Sequence, residues 1–283
     1  MAEIWRFLNE LDVPHDGASN MARDEAVLQA VARGDVPPTL RFYRWQQPTL
    51  SLGYGQSADD VDSTRAAQFG VAIVRRLTGG RAVLHIPNEL TYSIALPEDH
   101  PLATGSVVES YRRISAALKA GLQSLAPHSA LAADQRAEPA ERISQPNAVC
   151  FEVPSHYEIT ANGKKLVGSA QVRKFGGVLQ HGAIPLGGDV GDICDALIYA
   201  DESAREAAKA RVRQRATTLA EVSGFDYPHS TVGTALLKAF CDLLGDATLE
   251  EGSLSAAETA EEAALRANKY ATLEWIMLRQ LTY

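Results

Sequence analysis

Apolar positions recur along this chain in two rhythms, one helical and one alternating. Met21, Ala22, Ala26, Val27 and Ala30 repeat at helical spacing. They predict an amphipathic helix that starts at Ser19 or Asn20, both good N-caps, and ends near Gly34. Residues 39–45 then set Leu40, Phe42 and Tyr43 against Arg41 and Arg44, while 50–54 and 71–77 are β-branched or aromatic runs bounded by turn residues. These read as three strands. Residues 82–85 and 90–96 read as the arms of a hairpin or near-hairpin. The helical rhythm returns over 107–125, where Val107, Tyr111, Ile114, Leu118, Leu122 and Leu125 form one stripe.

Residues 126–147 are rich in Ala, Pro, Glu and Gln and poor in large apolar groups, the composition of a mobile surface loop. A strand-rich stretch runs from 149 to 185. Within it Asn162-Gly163 is a strong hairpin signal, and Gly176-Gly177 should reverse the chain again. Helices are expected over 203–222, 230–245 and 256–281, the last burying Ala263, Ala264, Ala267, Tyr270, Ala271 and Trp275. The fold class is therefore α+β: a mixed or antiparallel sheet flanked by helices. The organisation is a single domain over 1–283, with a mixed portion to about residue 190 and a helical portion from about 191. No internal repeat or linker interrupts it.

Composition narrows the class. A hydrophobic content of 46% and a charged content of 22% are those of an ordinary globular protein. A net charge of -8 argues against nucleic acid as a partner. No apolar run approaches the roughly 20 residues of a membrane span, and the first residues lack the basic start and apolar stretch of a signal peptide. Cys150, Cys194 and Cys241 are an odd number without paired spacing, which fits a reducing compartment rather than a disulfide framework. The expected location is the cytoplasm.

Candidate chemistry clusters in three places. At 75–85 two arginines run into a Thr-Gly-Gly turn and a short apolar strand ending on His85. Gly79 and Gly80 let the backbone approach a ligand closely, and Arg75 and Arg76 bring planar, permanently charged donors. Neither nucleotide-binding glycine pattern is present there. Cys150 is the candidate nucleophile: a thiolate is both a strong nucleophile and a good leaving group, given a nearby cation. The structural alternative is burial as a small hydrophobe, which fits Cys194 and Cys241. Lys165 is the natural partner, as an apolar neighbourhood would help it act as a base. Strand alternation puts Lys165 with Val167, Ser169 and Gln171, but a bulge at Gly168 would swap the faces. His85 and His181 adjoin glycines or strand ends and are open to either a packing or a site role. The histidines and cysteines have no metal-ligand spacing, so no metal is expected. Arg75, Arg76, Lys164, Lys165, Arg173 and Lys174, if they converge, could dock an acidic partner.

Several segments together resemble a known family. They include Leu50-Ser51-Leu52-Gly53-Tyr54, the stretch 75–85, Glu89-Leu90-Thr91-Tyr92-Ser93, Cys150-Phe151, Gly-Lys-Lys-Leu-Val-Gly-Ser-Ala at 163–170, and Gln180-His181-Gly182. Trp5-Arg6-Phe7, Asn20-Met21-Ala22 and Glu274-Trp275 extend the match to most of the chain. The chain is similar to the octanoyl-[acyl-carrier-protein]:protein N-octanoyltransferases of the biotin and lipoate ligase-like superfamily. That resemblance implies the superfamily's catalytic fold and a cofactor-free transfer by a monomer. Octanoate passes from acyl carrier protein to the family's cysteine, matched by Cys150, assisted by a lysine, matched by Lys165. It then passes to a lysine of a lipoyl domain, such as the glycine cleavage H protein. Arg75, Arg76, Gly79, Gly80, His85, Ser169, Ala170, His181 and Gly182 would line the acyl pocket, and backbone N–H groups near 168–170 would hold the oxyanion.

Two departures are visible. The family usually places an aspartate directly after the histidine, whereas here Ile86-Pro87-Asn88 precedes Glu89. Arg81 stands where ATP-dependent ligases carry a third glycine, which favours transfer without ATP. An ATP-dependent lipoate ligase, an amidotransferase between lipoyl domains and a non-catalytic acyl-carrier or lipoyl-domain binding module remain the alternatives.

Overall fold

The computed structural model describes residues 2–134 and 158–277. Eleven strands are present among them: β1 (Ile4–His15), β2 (Thr39–Trp45), β3 (Thr49–Leu52), β4 (Ala72–Arg75), β5 (Val83–His85), β6 (Glu89–Pro97), β7 (Leu131–Asp134), β8 (Glu158–Ala161), β9 (Lys164–Lys174), β10 (Gly177–Pro185) and β11 (Thr248–Glu251). The α-helices are α1 (Gly17–Ala32), α2 (Ser63–Gln68), α3 (Val107–Leu125), α4 (Glu202–Arg215), α5 (Leu219–Ser223), α6 (His229–Leu244), α7 (Ala256–Leu265) and α8 (Leu273–Ile276). The large sheet has the order β11-β1-β2-β6-β10-β9-β8-β7, and a small one has β4-β3-β5. Parallel pairing at β11–β1–β2 and β3–β4 makes the sheets mixed, as expected.

Period-2 alternation explains how the large sheet serves two purposes. Leu40 and Phe42 of β2, with Leu90, Tyr92, Ile94 and Leu96 of β6, enter the main core against Ile114, Leu118 and Leu122 of α3 and Val232, Leu236 and Phe240 of α6. The residues between them face α1 instead. Arg41, Tyr43 and Trp45 from β2, and Glu89, Thr91 and Ser93 from β6, are all buried there. One face of the sheet is thus apolar core and the other is a buried polar floor.

Several elements differ from the sequence expectation. The N-cap of α1 is Asp16, three residues before Ser19, because its carboxylate accepts from the Ser19 N–H at 2.8 Å. β5 and β6 are not hairpin arms: β5 pairs β3 in the small sheet, while β6 pairs β2 and β10. The expected loop at 126–147 contains β7, which pairs β8; its residues 135–147 lie outside the described residues. The Asn162-Gly163 hairpin forms with both residues at positive φ, whereas the next turn uses Phe175 and Gly176, so that Gly177 already belongs to β10. The expected helix 203–222 is split into α4 and α5, and 256–281 is split by a π-type turn at Arg266–Tyr270. Ala263, Ala264, Ala267 and Ala271 are exposed, and α7 buries Glu258 and Glu262 instead. Glu258 holds Arg6 of β1, and Glu262 holds Arg23 of α1. Cys194 is buried but Cys241 is exposed. No helix among the described residues is long and apolar enough to cross a membrane.

Candidate active site

On the polar face of the sheet a cleft opens between α1, the small sheet and the β9–β10 pair. Met21, Tyr43, Trp45 and Val83 line one part of it, and Gly168, Ser169, Ala170, His181 and Gly182 another. Arg76, Gly80 and His85 close the side formed by the 75–85 stretch. Seven of the residues expected to bind substrate therefore meet in one cleft: Arg76, Gly80, His85, Ser169, Ala170, His181 and Gly182. Arg75 and Gly79 are not among the lining residues. Cys150 lies outside the described residues.

Arg76 builds its loop from inside. Its guanidinium donates to Ser51 O and Oγ, Gly79 O and Arg81 O, at 2.8–3.2 Å. The Thr-Gly-Gly turn is thus wrapped around the arginine. Gly80 has a φ of 96°, and a Cβ there would lie 2.8 Å from the Arg76 guanidinium, so both conformation and space call for glycine. Arg75 turns away from the cleft. It donates to the carbonyls of Gly53, Tyr54 and Gln56 and to those of Trp275 and Ile276, tying the loop after β3 to α8. The six basic residues form no common patch. Arg75, Arg76 and Lys165 are buried, Lys164 donates to Arg213 O, and Arg173 donates to Ala103 O.

Both histidines of the cleft are fixed at each ring nitrogen. His85 contacts Glu89 Oε1 through Nδ1 and Ser51 Oγ through Nε2, each at 2.8 Å, and stacks on Trp45 with ring centroids 3.9 Å apart. Glu89 is the acidic partner that the sequence does not place directly after His85: Ile86-Pro87-Asn88 is followed by a carboxylate that returns to the ring. Ser51, His85 and Glu89 stand in the order of a hydrolase triad. Ser51, however, is fully buried and accepts from Arg76, so this row supports the wall rather than offering a nucleophile.

His181 lies between Asp24 Oδ2, 3.2 Å from Nδ1, and Thr78 Oγ1, 2.7 Å from Nε2. Asp24 also accepts from Arg41, Tyr43 and Ser93. Burial alone would raise the Asp24 pKa, but Arg41 and the hydrogen bonds from His181 and Ser93 outweigh it and leave it lowered. Burial lowers the His181 pKa, with Asp24 only partly offsetting this. Tyr43 is pushed well up by burial and by Asp24. The floor therefore combines a carboxylate, a guanidinium, a neutral imidazole and a neutral phenol.

Lys165 reaches its place through a bulge. β8 pairs Thr160 with Lys165 but Ile159 with Val167, leaving Leu166 as the extra residue. Leu166 and Val167 both enter the main core. Lys165, ahead of them, therefore faces the other way, on the side of Gly168 and Ala170. The face swap arises at Leu166, not at Gly168, and it separates Lys165 from Val167 and Ser169. Lys165 Nζ meets Glu158 Oε1 at 2.5 Å, and its carbonyl accepts from the Thr217 N–H that follows α4.

Residues 16–241 match the family of the lipoyl protein ligase A/B catalytic domain. The octanoyltransferase LipM of Moorella thermoacetica is 41% identical over 98% of this chain and 99% of its own length. That of Staphylococcus aureus is 37% identical over 98% and 99%. The chain belongs to this family, among its octanoyltransferases. As an enzyme it is a transferase. The fold is shared with a bi-partite lipoate protein ligase of Thermoplasma acidophilum, at a TM-score of 0.78 and 24% identity over the whole of both chains. A lipoate-protein ligase A bound with ATP gives 0.75 and 24%, covering 98% of this chain and 99% of that one.

Within this octanoyltransferase, sequence reasoning missed three carboxylates: Asp24, Glu89 and Glu158. Glu89 stands inside a segment that carries the family resemblance and Asp24 two residues after another, but nothing in their spacing links them to His85 and His181. Glu158 carries no such signal.

Proposed function

We propose that this octanoyltransferase moves octanoate from acyl carrier protein, through a thioester on Cys150, to the lysine of a lipoyl domain such as the glycine cleavage H protein. The observation that carries the reading is the pairing of one cleft with one cation. Apolar and aromatic walls suit an acyl chain, and Lys165 lies on the same face of β9 as Gly168 and Ala170, which line the cleft. In the first step the Cys150 sulfur bonds to the acyl carbon, the donor's carbon–sulfur bond breaks, and the Cys150 proton ends on the departing thiol. In the second step the acceptor amine bonds to the acyl carbon, the Cys150 bond breaks, and an amine proton returns to the sulfur. Lys165 stabilises the thiolate electrostatically and carries the proton in each direction. Arg75, Gly79 and their loop serve the site by shaping it, while Arg76, Gly80, His85, Ser169, Ala170, His181 and Gly182 surround the chain. In this reading the protein works in the cytoplasm as a single-domain monomer, with no cofactor.

The test is incubation with octanoyl-acyl carrier protein in the absence of ATP, followed by intact and peptide mass spectrometry. One octanoyl group on Cys150, discharged on adding an apo lipoyl domain, is the expected result. An unmodified protein, or activity that survives Cys150→Ala, would end the proposal.

A further inference from the structure

Glu158 is a buried carboxylate on the cleft side of the sheet to which the transfer reaction as stated gives no task. Its neighbour Ile159 enters the main core, so by alternation Glu158 points the other way, as Lys165 does beyond the bulge. The two side chains are 9% and 4% exposed and meet at 2.5 Å. A lysine stem is long and flexible, so a charged head buried without a fixed partner is both mobile and poorly solvated. Glu158 removes both difficulties. Because Thr217 also holds the Lys165 carbonyl, both the backbone and the head of this lysine are fixed.

We propose that Glu158 is a positioning residue for acyl transfer: it holds the Lys165 side chain in one orientation beside the cleft. The inference rests on the thioester relay proposed above. Glu158 forms no bond to substrate. Lys165 gives its proton to the departing donor thiolate in the first step and regains one from the acceptor amine in the second, so the pair is restored at the end of the cycle. The bulge at Leu166 belongs to the same device, since without it Lys165 would share the face of Val167 and lose its carboxylate.

The experiment measures single-turnover acylation of the full chain by octanoyl-acyl carrier protein in four variants: Glu158→Gln, Glu158→Asp, Lys165→Ala and the Glu158→Gln/Lys165→Ala double. Glu158→Gln should slow acylation on the order of 10²-fold, the scale of one proton-transfer contribution, at an unchanged donor KM. Glu158→Asp should recover part of the rate. In the Lys165→Ala background, Glu158→Gln should have no further effect, because Glu158 acts through the lysine. A native rate in Glu158→Gln, or an equal slowing with and without Lys165, overturns the role. Should Glu158→Gln fold poorly, Glu158→Asp decides alone: slowed acylation at native KM upholds the role and a native rate overturns it. If unmodified protein never carries octanoate on Cys150, the relay fails and this role fails with it, an outcome separable from all the others.

Discussion

His181 Nδ1 lies 3.2 Å from Asp24 Oδ2, a contact that fastens β10 to α1 beneath the cleft. Both groups have lowered pKa values, so both link stability to pH in the same direction. Below about pH 6.5 the unfolded chain protonates its histidine while folded His181 resists. Below about pH 3.9 the unfolded chain also protonates its aspartate while Asp24 stays ionised. Stability from each group is full above these values and is lost as pH falls through them. Denaturant unfolding at a series of pH values should show a midpoint that drops on mild acidification, and His181→Gln should flatten the drop below about pH 6.5. The same slope in variant and parent would remove His181 as its source.

Arg75 gives a prediction of a different kind, because its charge meets carbonyls instead of carboxylates. Burial lowers its pKa, and five backbone acceptors at the loop after β3 and at α8 hold it. Trp275 Nε1 returns a hydrogen bond to Arg75 O at 2.9 Å. Arg75→Lys keeps a charge but cannot span both segments. It should cost about 1–3 kcal/mol and raise amide exchange selectively over 273–277. Unchanged exchange there would show that α8 is held by Trp275 alone.

The contrast between Arg75 and Arg76 also shows what a sequence can reveal of such a site. Adjacent residues on a strand end point to opposite sides, so one builds the cleft wall and the other a clasp for the C-terminal segment 200 residues on. A local motif identifies the pair but not the division of labour. α3 was legible because its apolar positions keep one period from end to end, and β2 because Leu40 and Phe42 flank Arg41 in an aromatic-rich run. β1 was not: Trp5, Arg6, Phe7 and Leu8 are all buried in succession, and Arg6 is tolerated inside only because Glu258 meets it from α7. β11 has mostly exposed side chains and exists through pairing with β1. Gly80 and His85 were legible in the cleft because a turn and a strand end mark them, whereas His181 and Gly182, central in β10, were reached only through the family resemblance. Asp24, Glu89 and Glu158 depend on register across strands and helices, which no short window of sequence contains.

Gly182 tests how tightly β9 and β10 are packed at the cleft. It pairs with Ser169, and a Cβ there would lie 2.4 Å from Ser169 Oγ, 2.6 Å from the Tyr92 ring and 2.9 Å from Gly168 O. The last is backbone and cannot turn aside. Gly182→Ala should therefore destabilise by about 1–3 kcal/mol and break the Tyr92–Ser169 hydrogen bond, which is 2.8 Å long. Tyr92 has a pKa raised to about 12 by burial, so the folded state keeps its proton longer than the unfolded chain does. That stability is present below about pH 10 and lost as pH rises toward 12. Thermal unfolding across this alkaline window should separate Gly182→Ala from its parent, and a native melting curve would show the strands can part at no cost.

The far wall of the cleft should set the length of chain the enzyme accepts. From β9, which carries Lys165, to β2, which carries Tyr43 and Trp45, the sheet order crosses β10 and β6. Three strand spacings come to about 14 Å, room for an extended eight-carbon acyl group with its carbonyl near β9. Met21 from α1 lines this far part and packs on Tyr43 and Trp45. Methionine is a compliant filler, whereas a tryptophan ring there would be rigid and larger. Met21→Trp should therefore displace the last one or two carbons of octanoate, each worth about 0.8 kcal/mol of burial. Competition between octanoyl- and hexanoyl-acyl carrier protein should shift toward hexanoyl by roughly 4- to 15-fold in kcat/KM, the same energies read as a rate ratio. If the variant loses both substrates equally, Met21 supports the fold and does not measure the chain. If it keeps the parent's preference at full rate, the acyl end lies elsewhere in the cleft.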